Sequence, residues 1–221
     1  MKKASLTGKT FILLAILVMP SLAYLFMTTG TNRFKKLPYF GPKEELNAKG
    51  DTLYHSIPAF SFTDQNGNVV SDKDLDGKIY VAGFFFASCQ GTCPKITNQL
   101  FRVQDRFKAV RDLKILSFTV DPQRDSVAAL DAYGKKFMVN PKKWFLLTGE
   151  KAKIYELAMK GYFANAGEGI KGTEDFMHTE NVLLIDKEKH IRGIYEATNP
   201  KEVDRLMDEI TVLLTEYKSK K

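Results

Sequence analysis

The run KIYVAGFFFA, residues 78–87, most narrows what this chain can fold into. Past its lysine it offers no charged side chain and no face for water, so it reads as a strand buried on both sides at the centre of a sheet. Two more such runs, LKILSFTV at 113–120 and KKWFLLTG at 142–149, alternate with helical patterns. Between the first two, Ile96, Leu100, Val103, Phe107 and Val110 recur at spacings of four and three, one apolar helix face, with Pro94 suited to the first helical position. After the second comes an Asp121-Pro122 turn and a helix capped by Asp125 or Ser126. After the third, EKAKIYELAMKG reads as a helix ended by Gly161.

A hairpin, PAFSFTDQNGNVVS, turns at Asn66-Gly67 ahead of this series. Behind it lie the strands TENVLLID and IRGIYE and a last helix, with Asn199 as N-cap, Pro200 first and Glu202 third, the spacing of a capping box. Val203, Leu206, Ile210, Leu213 and Tyr217 line one face of that helix. Strands alternating with helices imply an α/β fold, a central sheet covered on both sides. Residues 161–177, GYFANAGEGIKGTEDFM, carry four glycines and read as a loop.

The chain of 221 residues carries a net charge of +7, but eight of its basic residues and only Glu44 and Glu45 among its acidic ones fall in the first 50. The rest is nearly neutral and lacks the basic field that grips a polyanion, which excludes nucleic acid as a partner. Lys2, Lys3 and Lys9 precede FILLAILVMPSLAYLFM, residues 11–27, an uncharged apolar run. This is the pattern of a signal anchor, with no Ala-x-Ala site closing it; a cleaved signal peptide is the other reading. Both export the rest of the chain. The expected organisation is an anchor over residues 1–30, a Pro/Gly-containing tether over 31–53, and a domain over 54–221 on the extracytoplasmic, periplasmic side of a membrane.

Outside the cytoplasm thiols are free to oxidise, and the two cysteines here, Cys89 and Cys93, sit at the turn from the first central strand into its helix. A thioredoxin-like fold keeps its chemistry at that junction. The loop they close is too short to constrain the unfolded chain much, so a structural staple explains little. The second cysteine is expected in the first helical turn, where free backbone N–H groups favour a thiolate. The spacing alone leaves a disulfide, a redox pair and a metal site all open. Of the three histidines, His55 precedes the fold and His190 lies in the turn KEKH, whereas His178 stands just before the strand TENVLLID. In a thioredoxin-like arrangement that position faces the cysteine turn across the top of the sheet. Oxidoreductases of that fold carry a proline there, and this chain has none between Pro141 and Pro200.

Taken in order, Cys89-Gln90-Gly91-Thr92-Cys93-Pro94, Asp121-Pro122-Gln123-Arg124-Asp125 and His178 resemble the Sco (SenC-like) family of membrane-tethered copper proteins over about residues 55–217. The resemblance implies a thioredoxin-like domain in which Cys89, Cys93 and His178 bind one copper ion. It also implies a part in maturing the binuclear copper centre of cytochrome c oxidase, with the copper-bearing oxidase subunit as partner. Two thiolates and an imidazole suit Cu(I) and, with a further weak ligand, Cu(II); a structural zinc site normally has four protein ligands. Asp121 and Asp125 match the family's acidic turn and are candidates for groups flanking the ligands, although turn and cap roles also account for them. Met177 departs from the family, which often has an acidic residue before the histidine; a methionine at a loop edge reads as packing. The rival function is a thiol:disulfide oxidoreductase that reduces the cysteines of the oxidase copper site. A peroxidase on the same fold would have no use for His178 facing the pair.

Overall fold

The structure, a computed structural model, describes residues 14–22, 24, 36–44, 53–164 and 180–219. They fall into two units, Met1–Lys35 and Lys36–Lys221. In the first, residues 14–22 and 24 are helical. Among the described residues no helix is long and apolar enough to cross a membrane; part of the apolar run expected to anchor the chain, residues 11–13, 23 and 25–27, lies outside them.

The second unit begins with a short antiparallel pair, β1 (Lys43–Glu44) and β2 (Leu53–Tyr54), and continues into the expected hairpin of β3 (Ser61–Thr63) and β4 (Val69–Ser71). The hairpin turn is built by Asp64, whose carboxylate accepts the backbone N–H groups of Asn66 and Asn68 at 2.8 Å each, while Gly67 takes a φ of +82° that a side chain would resist. Five strands form the central sheet in the order β7-β6-β5-β8-β9. They are β5 (Ile79–Phe85), β6 (Leu113–Thr119), β7 (Trp144–Leu147), β8 (Asn181–Ile185) and β9 (Ile191–Glu196). β5, β6 and β7 run parallel, with Val81 opposite Ile115 and Ser117 opposite Leu146; β8 is antiparallel to β5 and β9 to β8.

All seven residues of β5 are buried, as its unbroken apolar run requires. Its side chains alternate between two cores. Ile79, Val81 and Phe85 face helices α1 (Thr92–Arg106), α2 (Val127–Lys136) and α4 (Pro200–Ser219) through Leu100, Val103, Leu130, Leu206 and Ile210. Tyr80, Ala82 and Phe84 face an aromatic layer of Phe60, Phe62, Phe118 and Tyr162 beneath the hairpin and α3 (Lys151–Glu156). Each large apolar side chain so buried stabilises the fold by about 1.5–3 kcal/mol relative to exposure.

Several expectations shift in detail. Helix α1 starts at Thr92, so Pro94 occupies its third position rather than its first; its missing N–H is still one of the four that no helix pairs. Val110 lies past the end of α1 and packs against the core from the turn beyond it. Ser126, not Asp125, caps α2, accepting the Ala129 N–H at 3.3 Å. Asn199 accepts the Lys201 N–H at 3.0 Å, while Glu202 pairs with Arg205 instead of turning back to close a capping box. The helix after β7 ends at Gly161 as expected, through a π-helical turn at Leu157–Gly161.

Leu37 to Phe40, within the stretch read as a tether, contact the edge of the sheet. Phe40 donates its N–H to the Ile191 carbonyl at 2.9 Å along the edge strand β9. The buried Arg192 donates to the Leu37 and Pro38 carbonyls at 2.7 and 3.2 Å and to Asp186 at 3.0 Å, with its guanidinium 4.2 Å from the centre of the Tyr39 ring.

Candidate metal centre

In an open α/β sheet the carboxyl ends of the parallel strands are where ligands bind, and β5 ends there at Phe85. The chain then bends through Phe86–Gly91 and enters α1, and the Cys89 N–H closes this bend on the Phe86 carbonyl at 3.2 Å. Cys89 is partly exposed and Cys93 buried, and both are free thiols. Each cysteine is among the neighbours that shift the other's titration, so the pair expected from the sequence comes together at this turn.

The environment splits the two thiols in the opposite sense to the sequence expectation. Burial alone would raise Cys89, but the N–H of Cys93, the Cys93 thiol and the N–H groups of Gly91 and Thr92 outweigh it and hold Cys89 below the ordinary cysteine value. Those N–H groups lie at the unpaired start of α1, so the helix terminus favours a thiolate on the cysteine that precedes it. Cys93, inside the first turn, is pushed up to about 12, by burial first and then by the Cys89 sulfur beside it, against a hydrogen bond with the Phe86 backbone.

The acidic turn after β6 comes to the same place. Asp125, 2% exposed, accepts the Ala87 N–H at 2.9 Å and the Thr119 hydroxyl. Thr119 in turn accepts the Asp121 N–H at 3.0 Å. Asp125 therefore ties the turn after β6 to the loop that carries Cys89. Burial, with the nearby Asp121 charge adding, raises the Asp125 carboxyl above the usual carboxylate range in spite of these hydrogen bonds. Asp121 is also buried, and its Oδ2 has no hydrogen-bond partner; Arg124 Nη1 approaches it at 3.6 Å, an ion pair but too long for a hydrogen bond.

His178 and Met177 lie outside the described residues. Glu180, the first described residue after them, accepts the Thr92 hydroxyl on its carboxylate at 3.4 Å. His55, expected ahead of the fold, packs against it: its Nε2 is 2.8 Å from the Gly161 carbonyl oxygen, and its ring lies 4.4 Å from that of Phe163. His190 stands edge-on to Tyr39 and Tyr54, half-buried, with Nδ1 3.5 Å from Asp186.

Two side chains beside the cysteines escaped the sequence reading. Thr97 donates to the Cys93 carbonyl at 2.8 Å, and its hydroxyl lies 2.6 Å from that of Tyr133 on α2. The one signal available was Thr97 standing four residues after Cys93; Tyr133 looks like any other core position of α2.

A five-stranded sheet with helices on both sides and a cysteine pair where a central strand enters its helix defines a thioredoxin-like protein. The chain belongs to the SCO1/SenC family, whose model matches residues 49–215. It is 26% identical over 162 residues to the SCO1 protein homolog of Bacillus subtilis (strain 168), covering 72% of this chain and 83% of that one. Among solved structures it is similar to BsSco, described as having a disulfide switch and as a member of the Sco family of cytochrome c oxidase assembly proteins. That match has 26% identity and a TM-score of 0.64, covering 75% of this chain and 96% of that one. It is also similar to Arabidopsis thaliana ScoI, solved with copper bound, at 27% identity and a TM-score of 0.58, covering 72% of this chain and 98% of that one.

Proposed function

We propose that this protein binds copper and serves in cytochrome c oxidase assembly, with Cys89, Cys93 and His178 holding one copper ion that it passes to the copper-bearing oxidase subunit. The observation that carries the reading is the convergence of the two sulfurs at the carboxyl end of β5, one on the loop and one in the first turn of α1. Two soft donors side by side suit Cu(I), and a site with three protein ligands keeps a position open for an incoming ligand of the recipient. Glu180 adds support for the third ligand. It is bonded to Thr92, next to Cys93, and His178 precedes it by two residues of chain, a reach of about 7 Å. Asp125 acts on this site by fixing the Cys89 loop through Ala87, and Asp121 lies beside it. Copper is cargo here: bound, it supplies an electron-accepting metal ion for transfer, while the residues of this chain set where its ligands stand. The N-terminal run anchors the protein so that the domain works on the extracytoplasmic face.

The test is metal content. Reduced full-length protein incubated separately with copper and with zinc salts, then freed of unbound metal, is expected to retain about one copper per chain. It should lose this on oxidation to the Cys89–Cys93 disulfide or on Cys89→Ala or Cys93→Ala. Tight copper retention by the oxidised protein would count against thiolate ligation.

A second reading has its own observation. The partly exposed Cys89 with its lowered pKa and the buried Cys93 with its raised one are the unequal pair that disulfide exchange uses, an attacking thiolate and a partner that resolves the mixed disulfide. As a thiol:disulfide oxidoreductase, the protein would reduce the cysteines of the oxidase copper site so that copper can enter.

A further inference from the structure

Beneath the cysteine pair runs a line of hydroxyls with one direction. Thr97 gives its single hydroxyl hydrogen to the Cys93 carbonyl at 2.8 Å. The Tyr133 oxygen at 2.6 Å from the Thr97 oxygen must then be the donor of that second bond, because Thr97 has only lone pairs left to offer. The line Tyr133 O–H to Thr97 O–H to Cys93 C=O therefore starts on α2 and ends on the first turn of α1, joining two helices through residues 36 apart in the sequence. A threonine bonding back to the carbonyl four residues earlier is ordinary within a helix; a buried tyrosine from a second helix completing it is not.

Tyr133 is itself held from three sides. Its ring lies 5.2 Å from Phe85, the last residue of β5, and 4.6 Å from Phe137, and only 6% of the residue is exposed. Burial chiefly, with Cys93, Cys89 and Asp125 adding to it, raises its phenol well above the ordinary tyrosine value. The phenol stays protonated and so remains a donor at any pH the protein meets.

We propose that Tyr133 and Thr97 are positioning residues of the cysteine site, which brace the Cys93 carbonyl so that the pair stands ready to share a metal ion and resists closing into a disulfide. The copper half of this inference rests on the function proposed above; the disulfide half does not. Both thiols are free, and closing the disulfide must draw their sulfurs together to about 2.05 Å, which strains the first turn of α1 or the loop before it. The brace opposes the first of these. Without it, closure becomes easier and the two sulfurs are less well arranged for joint ligation.

The experiment equilibrates full-length protein in detergent with mixtures of reduced and oxidised dithiothreitol and reads the fraction of Cys89–Cys93 disulfide. Each closure passes two electrons and two protons to the dithiothreitol disulfide, which becomes a dithiol. Cu(I) affinity is read beside it by competition with a chromophoric chelator. Tyr133→Phe keeps the ring and removes the donor; Thr97→Val keeps the shape and removes the link; Thr97→Ser keeps the link. Tyr133→Phe and Thr97→Val are each expected to shift the equilibrium at least about fivefold toward disulfide and to weaken Cu(I) binding by about as much, the scale of one neutral hydrogen bond. Thr97→Ser should stay within about twofold of wild type on that scale. Trp144→Phe, which loses the buried 2.9 Å bond to Ser117 at the far end of the sheet, is the control for lost stability and should lower the melting temperature without moving the equilibrium. The proposal is overturned if Tyr133→Phe and Thr97→Val both match the wild type, or if Trp144→Phe shifts the equilibrium as much as they do. Were the wild type to bind no copper while Tyr133→Phe still favoured the disulfide, the copper reading would fall and the brace would stand.

Discussion

Asp125 Oδ2 accepts the Ala87 N–H at 2.9 Å across 38 residues of chain, and this one bond joins the turn after β6 to the loop that presents Cys89. Asp125→Ala should leave both the Ala87 N–H and the Thr119 hydroxyl unpaired in the interior, at a cost of about 1–3 kcal/mol for each group not rehydrated. Urea unfolding would show this as a lower midpoint at unchanged slope. The carboxyl also carries a pH signature. Its pKa is raised on folding, chiefly by burial, so the stability it contributes is whole below the unfolded value of about 3.8 and is lost as pH rises through the folded value. Asp125→Asn has no such titration. The wild type should therefore lose stability relative to Asp125→Asn as pH rises from the unfolded value of about 3.8 through the raised folded one, and a pH-independent difference would show that the carboxyl does not titrate upward.

The cysteines should not react alike. With Cys89 lowered by the N–H groups of Cys93, Gly91 and Thr92, and Cys93 buried and pushed up to about 12, iodoacetamide at about pH 7.5 should modify Cys89 at least about tenfold faster, since the thiolate is the nucleophile. Peptide mapping after a timed quench measures both rates. Cys93→Ala removes one of the groups that lower the Cys89 pKa, so the reactivity profile of Cys89 should move to higher pH. Equal rates at the two positions would refute the asymmetry.

Most of the fold was legible because its signals are short-range. The buried runs at 78–87, 113–120 and 142–149 announce β5, β6 and β7, and the spacing from Ile96 to Phe107 announces α1. What escaped depends on residues far apart in sequence. Asp125 and Ser126 are equally good caps on paper, and only the approach of Ala87 shows why Asp125 turns to the cysteine loop and leaves the cap to Ser126. The thiolate preference fell on Cys89 because helix N–H groups point back out of the first turn, toward the residue ahead of it. Arg192 sits in the edge strand β9, and nothing local reveals that carbonyls from residues 37 and 38 surround it.

That last arrangement predicts where the folded unit has to begin. A chain starting at Gly50 loses Leu37, Pro38 and Tyr39, and with them two carbonyl acceptors and the ring against the buried Arg192 guanidinium. Hydrogen bonds to a charged group contribute about 1.5–3 kcal/mol each. The shorter chain should therefore be less stable in urea than one starting at Lys36 by at least about 2 kcal/mol. Equal stability would mean that Arg192 finds water or other acceptors when the arm is gone.

Anchoring is expected from residues 11–27, an uncharged apolar run behind three lysines. Full-length protein should stay in the membrane fraction through a high-salt wash, which strips proteins held by charge but not by burial of apolar surface. A chain lacking the first 35 residues should be released. A mature N-terminus near residue 30 in protein recovered from cells would replace the anchor by a cleaved signal peptide.

His178 separates the two functions proposed for the cysteines. Copper transfer through three ligands needs the imidazole, because two thiolates alone can hold Cu(I) but do not readily support Cu(II). Disulfide exchange needs an attacking thiolate and a resolving thiol, and the groups that lower Cys89 are the backbone of residues 91–93 and the Cys93 thiol, none of which His178→Ala removes. His178→Ala should therefore lose the thiolate-to-Cu(II) charge-transfer absorption and fail to restore oxidase assembly in a deletion strain, while its thiols still oxidise and reduce reversibly. Full restoration of assembly by that variant would transfer the function to the oxidoreductase. If oxidase activity in the deletion strain is normal from the start, neither reading has found its target, and the copper content of the purified protein remains the measure of the site.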